Sequence, residues 1–227
     1  MAWTGLGWMT AFAVWTLLIQ TVDVQAIGPN GTKVGFAALN GGFHAATGVH
    51  WALYSATDWL GLVPLAVCAG FGVLGLIQWI RRGRLLAVDA DLLLLGAYYI
   101  AVIAAYLLFE QFPVNYRPVL IEGRLEASYP SSTTLLALSV MPTLGFQAGR
   151  RIPGRAAQRG IRILAACFSA LMAAGRTVSG VHWLTDIIGA VLLSAGLFAL
   201  YRGAVLRLDA RREEGKANWN CTKNCRR

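Results

Sequence analysis

Apolar residues in this chain gather into runs of about 15–20, close to the ~20 that a helix needs to cross ~30 Å of hydrocarbon. Charged or Gly/Pro-rich breaks separate the runs, which fall at Trp8–Val24, Leu60–Ile80, Leu92–Phe109, Ser132–Ala148, Ile161–Ala174 and Leu184–Tyr201. The pattern predicts an all-α fold: a polytopic membrane protein built as a bundle of six transmembrane helices. Asp23 and Gln25 follow the first run where a signal peptide would carry small residues, so this run reads as a retained helix. Pro142 sits within the fourth run, and the fifth is short, nearer the length of a re-entrant segment.

Composition and charge refine this picture. Apolar residues make up 56% of the chain and charged ones 14%, which excludes an ordinary soluble domain. Of the 20 Lys and Arg, all but four lie in Arg81–Arg84, in Arg150–Arg162 or from Arg202 onward. A six-span topology puts these three groups on one side, and the positive-inside rule makes that side cytoplasmic, together with both termini. Lys33, Arg117, Arg124 and Arg176 then face outward. The net charge of +9 sits in short juxtamembrane segments, where anionic headgroups rather than nucleic acid are the expected partner. Residues 1–210 are expected to form the membrane domain and residues 211–227 a basic cytoplasmic tail. Cys68 and Cys167 fall in predicted spans, and Cys221 and Cys225 form a C-x3-C pair without a second pair or a nearby His, so neither a disulfide nor zinc is expected. His44 and His50, in the Gly-rich outer loop 28–58 beside Trp51 and Trp59, read as interfacial residues, and no metal or cofactor is implied.

Candidate chemistry lies at the outer helix ends. Arg117 and Arg176 stand on the face that topology depletes of positive charge, and guanidinium forks match phosphate oxygens. In Gly175-Arg-Thr-Val-Ser-Gly-Val-His-Trp-Leu-Thr-Asp186, the spacing of His182 and Asp186 would place both on one helical face, where the carboxylate can take one imidazole N–H and leave the other nitrogen to attack an electrophile. A structural His–Asp pair has the same spacing. In Ser128-Tyr-Pro-Ser-Ser-Thr-Thr134, Ser131 is expected to cap the fourth helix, and the N–H groups of Ser132, Thr133 and Thr134 would then point at an anion.

These segments resemble the signature of the type 2 phosphatidic acid phosphatase (PAP2) family, whose blocks are K-x6-R-P, P-S-G-H and S-R-x5-H-x3-D. The corresponding stretches are Glu110-x6-Arg117-Pro118, Pro130-Ser131-Ser132-Thr133 and Gly175-Arg176-x5-His182-x3-Asp186. The resemblance implies a core at about residues 60–205, phosphate coordination by Arg117, Arg176 and the Ser131–Thr133 segment, a phosphohistidine on His182, and orientation of His182 by Asp186. Glu110, Thr133 and Gly175 depart from the pattern, standing where the family carries lysine, the general-acid histidine and serine. Glu110 is a candidate proton donor, and it also reads as a solvated helix end.

The function expected from these features is removal of phosphate from a lipid phosphate, such as a polyprenyl diphosphate, at the outer face of the cell membrane. A diphosphate leaving group needs a general acid least, because its conjugate acid has a pKa near ~6 against ~16 for water. The alternatives are a catalytically weak or inactive relative that binds phosphorylated lipid, and a small lipid transporter. The lipid tail and the oligomeric state have no signature in the chain.

Overall fold

The computed structural model describes residues 2–224, with side chains from 3 to 215. Its elements are α1 (Ala2–Thr21), α2 (Ala37–Thr47), α3 (Trp51–Leu60), α4 (Leu62–Arg82), α5 (Ala90–Gln111), α6 (Ser132–Arg151), α7 (Arg155–Val178) and α8 (Leu184–Asn224), with single 3-10 turns at Pro29–Gly31 and Leu85–Ala87. Among the described residues there is no β-strand, only isolated bridges such as Tyr116 with Ala127.

Four stretches are long and apolar enough to cross a membrane: Trp51–Arg82, Ala90–Gln111, Arg155–Val178 and Leu184–Gly215. Their outward faces carry bare apolar side chains, with Trp59, Ile80, Ile100 and Leu164 each more than 60% exposed. Water would not tolerate that surface, and lipid solvates it. The chain is therefore an integral membrane protein.

Helix α6 is less apolar because it runs through the middle of the bundle, against α7 and α8. Its inward groups find protein partners: Tyr98 donates to the Ser139 carbonyl at 2.9 Å, the Tyr99 and Thr143 hydroxyls lie 2.7 Å apart, and Gln147 donates to Tyr201. Where no lipid touches a helix, hydrogen-bonded polar side chains can replace apolar ones. Helix α1 packs along α8 through small residues; a Cβ on Gly5 would sit 2.7 Å from Leu200, and one on Gly196 would sit 2.8 Å from Met9.

The structure corrects two expectations. The fifth run is no short segment: α7 spans 24 residues, because its arginines lie on the helix rather than ending it. The loop 28–58 contains α2 and α3, and α3 leads into α4 through Gly61. Helix propensity in the Gly-rich α2 is weak, so tertiary contacts decide: Asn40 donates to the Gly35 carbonyl at 2.8 Å and to Thr185 Oγ1 at 2.9 Å. Helix α8 runs on through residue 210. The pair Cys221 and Cys225 lies outside the residues whose side chains are described.

At one end of the bundle, Arg150 and Arg151 clasp Asp91, with Arg150 Nε and Arg151 Nη1 at 3.0 and 2.8 Å from Oδ2, while Arg150 also holds Asp209 at 2.7 Å. The polar groups described next gather at the other end.

Candidate active site

The 20 residues between α5 and α6 form a folded-back loop that sets the register of the site. Arg117 N donates to the Glu126 carbonyl at 3.1 Å, and Ser128 N to the Asn115 carbonyl at 2.9 Å. This pairing carries Asn115 and Arg117 alongside Glu126 and Ser128. Tyr129 then anchors the loop: its hydroxyl lies 2.7 Å from Thr16 Oγ1, and its ring packs where a Cβ on Gly189 would be only 2.3 Å away.

His182 lies just before α8, in the turn after α7, and is 3% exposed. Its Nδ1 is 3.1 Å from the Ser128 carbonyl. A carbonyl oxygen only accepts, so Nδ1 carries the proton and Nε2 has a free lone pair. Arg117 Nη1 lies 3.4 Å from that Nε2. Burial first, then the charges of Arg117 and Arg176, pushes the imidazole pKa well below 6.5, which keeps it neutral and nucleophilic.

Asp186 is fully buried, but it does not receive the imidazole N–H, since Nδ1 and Oδ2 are 3.8 Å apart. The expected single helical face fails because His182 precedes the first residue of α8. Ser128 bridges the gap: its hydroxyl donates to Asp186 Oδ2 and its oxygen lies 3.2 Å from His182 Nδ1. Asn115 Nδ2 donates to Asp186 Oδ1 at 3.2 Å, and Trp183 N to Oδ2 at 2.9 Å. The carboxylate thus caps α8 and is linked to the imidazole through the serine hydroxyl.

Arg176 is 1% exposed. Its Nη2 donates to Thr133 Oγ1 at 2.9 Å and its Nη1 to Thr57 Oγ1 at 3.3 Å, and Asp58 Oδ1 lies 3.5 Å away. Its Nε has no hydrogen-bond partner. The Tyr54 ring faces both cations, with Arg176 Cζ at 4.8 Å and Arg117 Cζ at 6.0 Å from its centroid. Gly175 leaves room for Thr57 here, since a Cβ would come within 2.7 Å of the Thr57 methyl group. Arg117 Nε is also paired, at 3.1 Å, with the Glu126 carboxylate.

Two hollows meet at these groups. A polar cavity of about 200 Å³ is lined by Glu110, Arg117, Glu126, Ser128, Ser132 and His182. An apolar one of about 380 Å³, between α4, α5 and α6, is lined by Leu62, Leu65, Val102, Ile103 and Leu136 and shares Tyr106 and Ser132 with the first. Thr133 lines the apolar one. Ser131 faces neither: it is fully buried, its hydroxyl lies 3.0 Å from Thr134 Oγ1, and it makes no side-chain cap. Among the described residues no cluster of three His, Cys, Asp or Glu could hold a metal ion.

The PAP2 superfamily matches residues 92–208, more than half of the chain. This protein belongs to that superfamily. A search of curated proteins finds no match. The fold is similar to that of a solved structure described as the first transmembrane PAP2 type phosphatidylglycerolphosphate phosphatase from Bacillus subtilis, with a TM-score of 0.58 and 18% identity over 90% of this chain and 97% of that one. The PAP2 match begins after α3, so Tyr54, Thr57 and Asp58, which hold Arg176, lie outside it. Their spacing was the available signal, since residues i, i+3 and i+4 share a helical face. Asn115, Glu126 and Ser128 carry no comparable signal, because the folded-back loop alone brings them to the site.

Proposed function

We propose that this PAP2 protein is a membrane phosphatase that removes phosphate from a lipid phosphate or diphosphate, such as a polyprenyl diphosphate, through a phosphohistidine on His182. The observation that carries this reading is the buried His182, whose unprotonated Nε2 lies beside the Arg117 guanidinium on a polar cavity. The adjoining apolar hollow has the character needed to take the lipid chain.

In the proposed reaction the Nε2 lone pair attacks phosphorus in line with the leaving oxygen, and the P–O bond to that oxygen breaks. Arg117, Arg176 and the α6 N-terminus, with Ser132 and Thr133 in its first turn, face the charge on the phosphoryl oxygens. Nδ1 keeps its proton, and Asp186 stabilises the resulting cation through Ser128. Water then attacks phosphorus, the P–N bond breaks, and inorganic phosphate leaves. Thr133 has no proton to give at neutral pH. Glu110 lines the cavity and is the candidate donor to a leaving alkoxide, while a leaving phosphate needs none.

Six membrane crossings with cytoplasmic termini fit this reading. Helices α1 and α6 have 20 residues each, about 30 Å of helix. The arginines of α4 and α6 that pair with Asp89 and Asp91 lie at the end opposite the site, and with the positive-inside rule this supports chemistry on the extracytoplasmic face. The direct test is phosphate release by purified protein in detergent against isoprenoid and glycerolipid mono- and diphosphates, with and without EDTA. Release from diphosphates that persists in EDTA is expected. Binding without release would make the protein an inactive lipid-phosphate binder instead.

A further inference from the structure

A larger groove lies away from the candidate site, on the flank formed by α6, α7 and α8, with a volume of about 750 Å³. Its walls are Leu138, Pro142, Phe146, Ala166, Ala170 and Phe198, and its mouth holds Arg150, Arg162 and Arg202. Arg150 is neutralised by Asp91 and Asp209, whereas neither Arg162 nor Arg202 has a carboxylate partner among the described residues. Arg162 lies across α6 because Gly145 and Gly149 leave room for it: a Cβ at either would be 3.1 Å from its Cγ or 2.9 Å from its Nη2.

Deeper in the groove stands a second polar feature. Ser169 is 7% exposed, and its hydroxyl has no hydrogen-bond partner. It sits seven residues from Arg162 on α7, about 10 Å further along the helix. A phospholipid spans this layout: an anionic headgroup at the two arginines that lack a carboxylate partner, of which Arg162 donates only to Gln158 at 3.3 Å, an ester carbonyl that accepts from Ser169, and an acyl chain along the apolar walls. An unpaired cation at the membrane surface and an unsatisfied buried hydroxyl each cost free energy that such an occupant would recover.

We propose that the α6–α7–α8 groove is a binding site for an anionic phospholipid, separate from the catalytic centre and at the opposite end of the bundle. The proposal does not rest on the phosphatase reading.

The test is titration of purified protein in neutral detergent with phosphatidylglycerol or phosphatidylcholine, counting retained lipid by native mass spectrometry. Preferential retention of phosphatidylglycerol is expected, and the paired change Arg162→Gln with Arg202→Gln should weaken it about 25-fold, roughly fivefold per cation. Ala170→Phe and Ala166→Phe each fill the groove while keeping every charge, and each should also release the lipid. Arg159→Gln, which removes an exposed arginine outside the groove, should leave retention unchanged, as should Arg117→Gln at the other end. Equal retention of both lipids, an equal loss in Arg159→Gln, retention in both filled variants, or loss in Arg117→Gln alone would each overturn the proposal.

Discussion

Arg176 donates a 2.9 Å hydrogen bond to the hydroxyl of Thr133, the residue that stands where the PAP2 signature carries its histidine. The position of that histidine is thereby taken by a hydroxyl that holds the Arg176 guanidinium. Diphosphates should therefore be hydrolysed faster than monoesters of the same chain, since only monoesters expel a basic alkoxide. Thr133→His should raise monoester turnover selectively, and a tenfold gain corresponds to about 1.4 kcal/mol of transition-state stabilisation. The check is kcat/KM for one isoprenoid chain carrying one or two phosphates. Equal turnover of the pair by the unmodified protein would show that an acid such as Glu110 donates the proton, and Glu110→Gln would then depress monoester turnover.

His182→Ala should abolish phosphate release, and Asp186→Asn should slow it by orders of magnitude in a folded protein. Ser128→Ala, which keeps the carbonyl that holds Nδ1–H but removes the link to Asp186, should lower kcat about 10- to 100-fold with little change in KM. A Ser128→Ala enzyme with unchanged kcat would mean that Asp186 acts by capping α8 and not on the imidazole.

The pH dependence follows from the same histidine. Its pKa is lowered from 6.5, so the neutral nucleophile persists at pH values where a free imidazole is charged, and the acid limb of kcat/KM should lie below pH 6.5. Below the unfolded-state value the unfolded chain binds the proton and the folded one does not, so His182 withdraws stability as pH falls and contributes none of this loss above it. Thermal unfolding of His182→Gln should consequently be less acid-sensitive than that of the unmodified protein. An identical pH slope in both would place the acid sensitivity elsewhere.

Asp91→Asn tests the far end of the bundle. It leaves Arg150 and Arg151 without the carboxylate that both contact at 3.1 Å or less, and should cost about 2 kcal/mol of stability. Turnover by the folded fraction should be unchanged, because Asp91 lies a full helix length from Glu110. A lowered kcat at unchanged stability would instead tie this network to the chemistry.

Orientation can be read with single cysteines in a background lacking the native ones. Gly31, Gly123 and Gly154 have left-handed backbones that disfavour a side chain, so exposed neighbours serve better: Lys33 and Arg124 for the outer face, Arg155 and Arg211 for the inner. An impermeant thiol reagent on intact cells should label positions 33 and 124 only. Labelling of 155 without 124 would put the site in the cytoplasm.

Much of the architecture was legible along the chain, because a helix in lipid must satisfy its own backbone and therefore writes its length as an apolar run. The membrane class, α4, α5 and the start of α8, and the residues His182, Asp186, Arg117 and Arg176 as a polar set at helix ends, all followed from local pattern or short-range motif. What the pattern missed are elements held by tertiary contact. Helix α2 is weakly helical on its own and is fixed by Asn40 against Thr185. Helix α3 lay unread in a Gly-rich stretch, although its Tyr54, Thr57 and Asp58 hold Arg176. Only the folded-back loop before α6 could place the Ser128 hydroxyl between His182 and Asp186, residues more than fifty positions away in sequence. Periodicity reports which face of a segment avoids water or lipid, and it carries no information about which distant segment will supply a hydrogen-bond partner. The spacing of His182 and Asp186 was therefore visible, while the serine that joins them was decided by the fold.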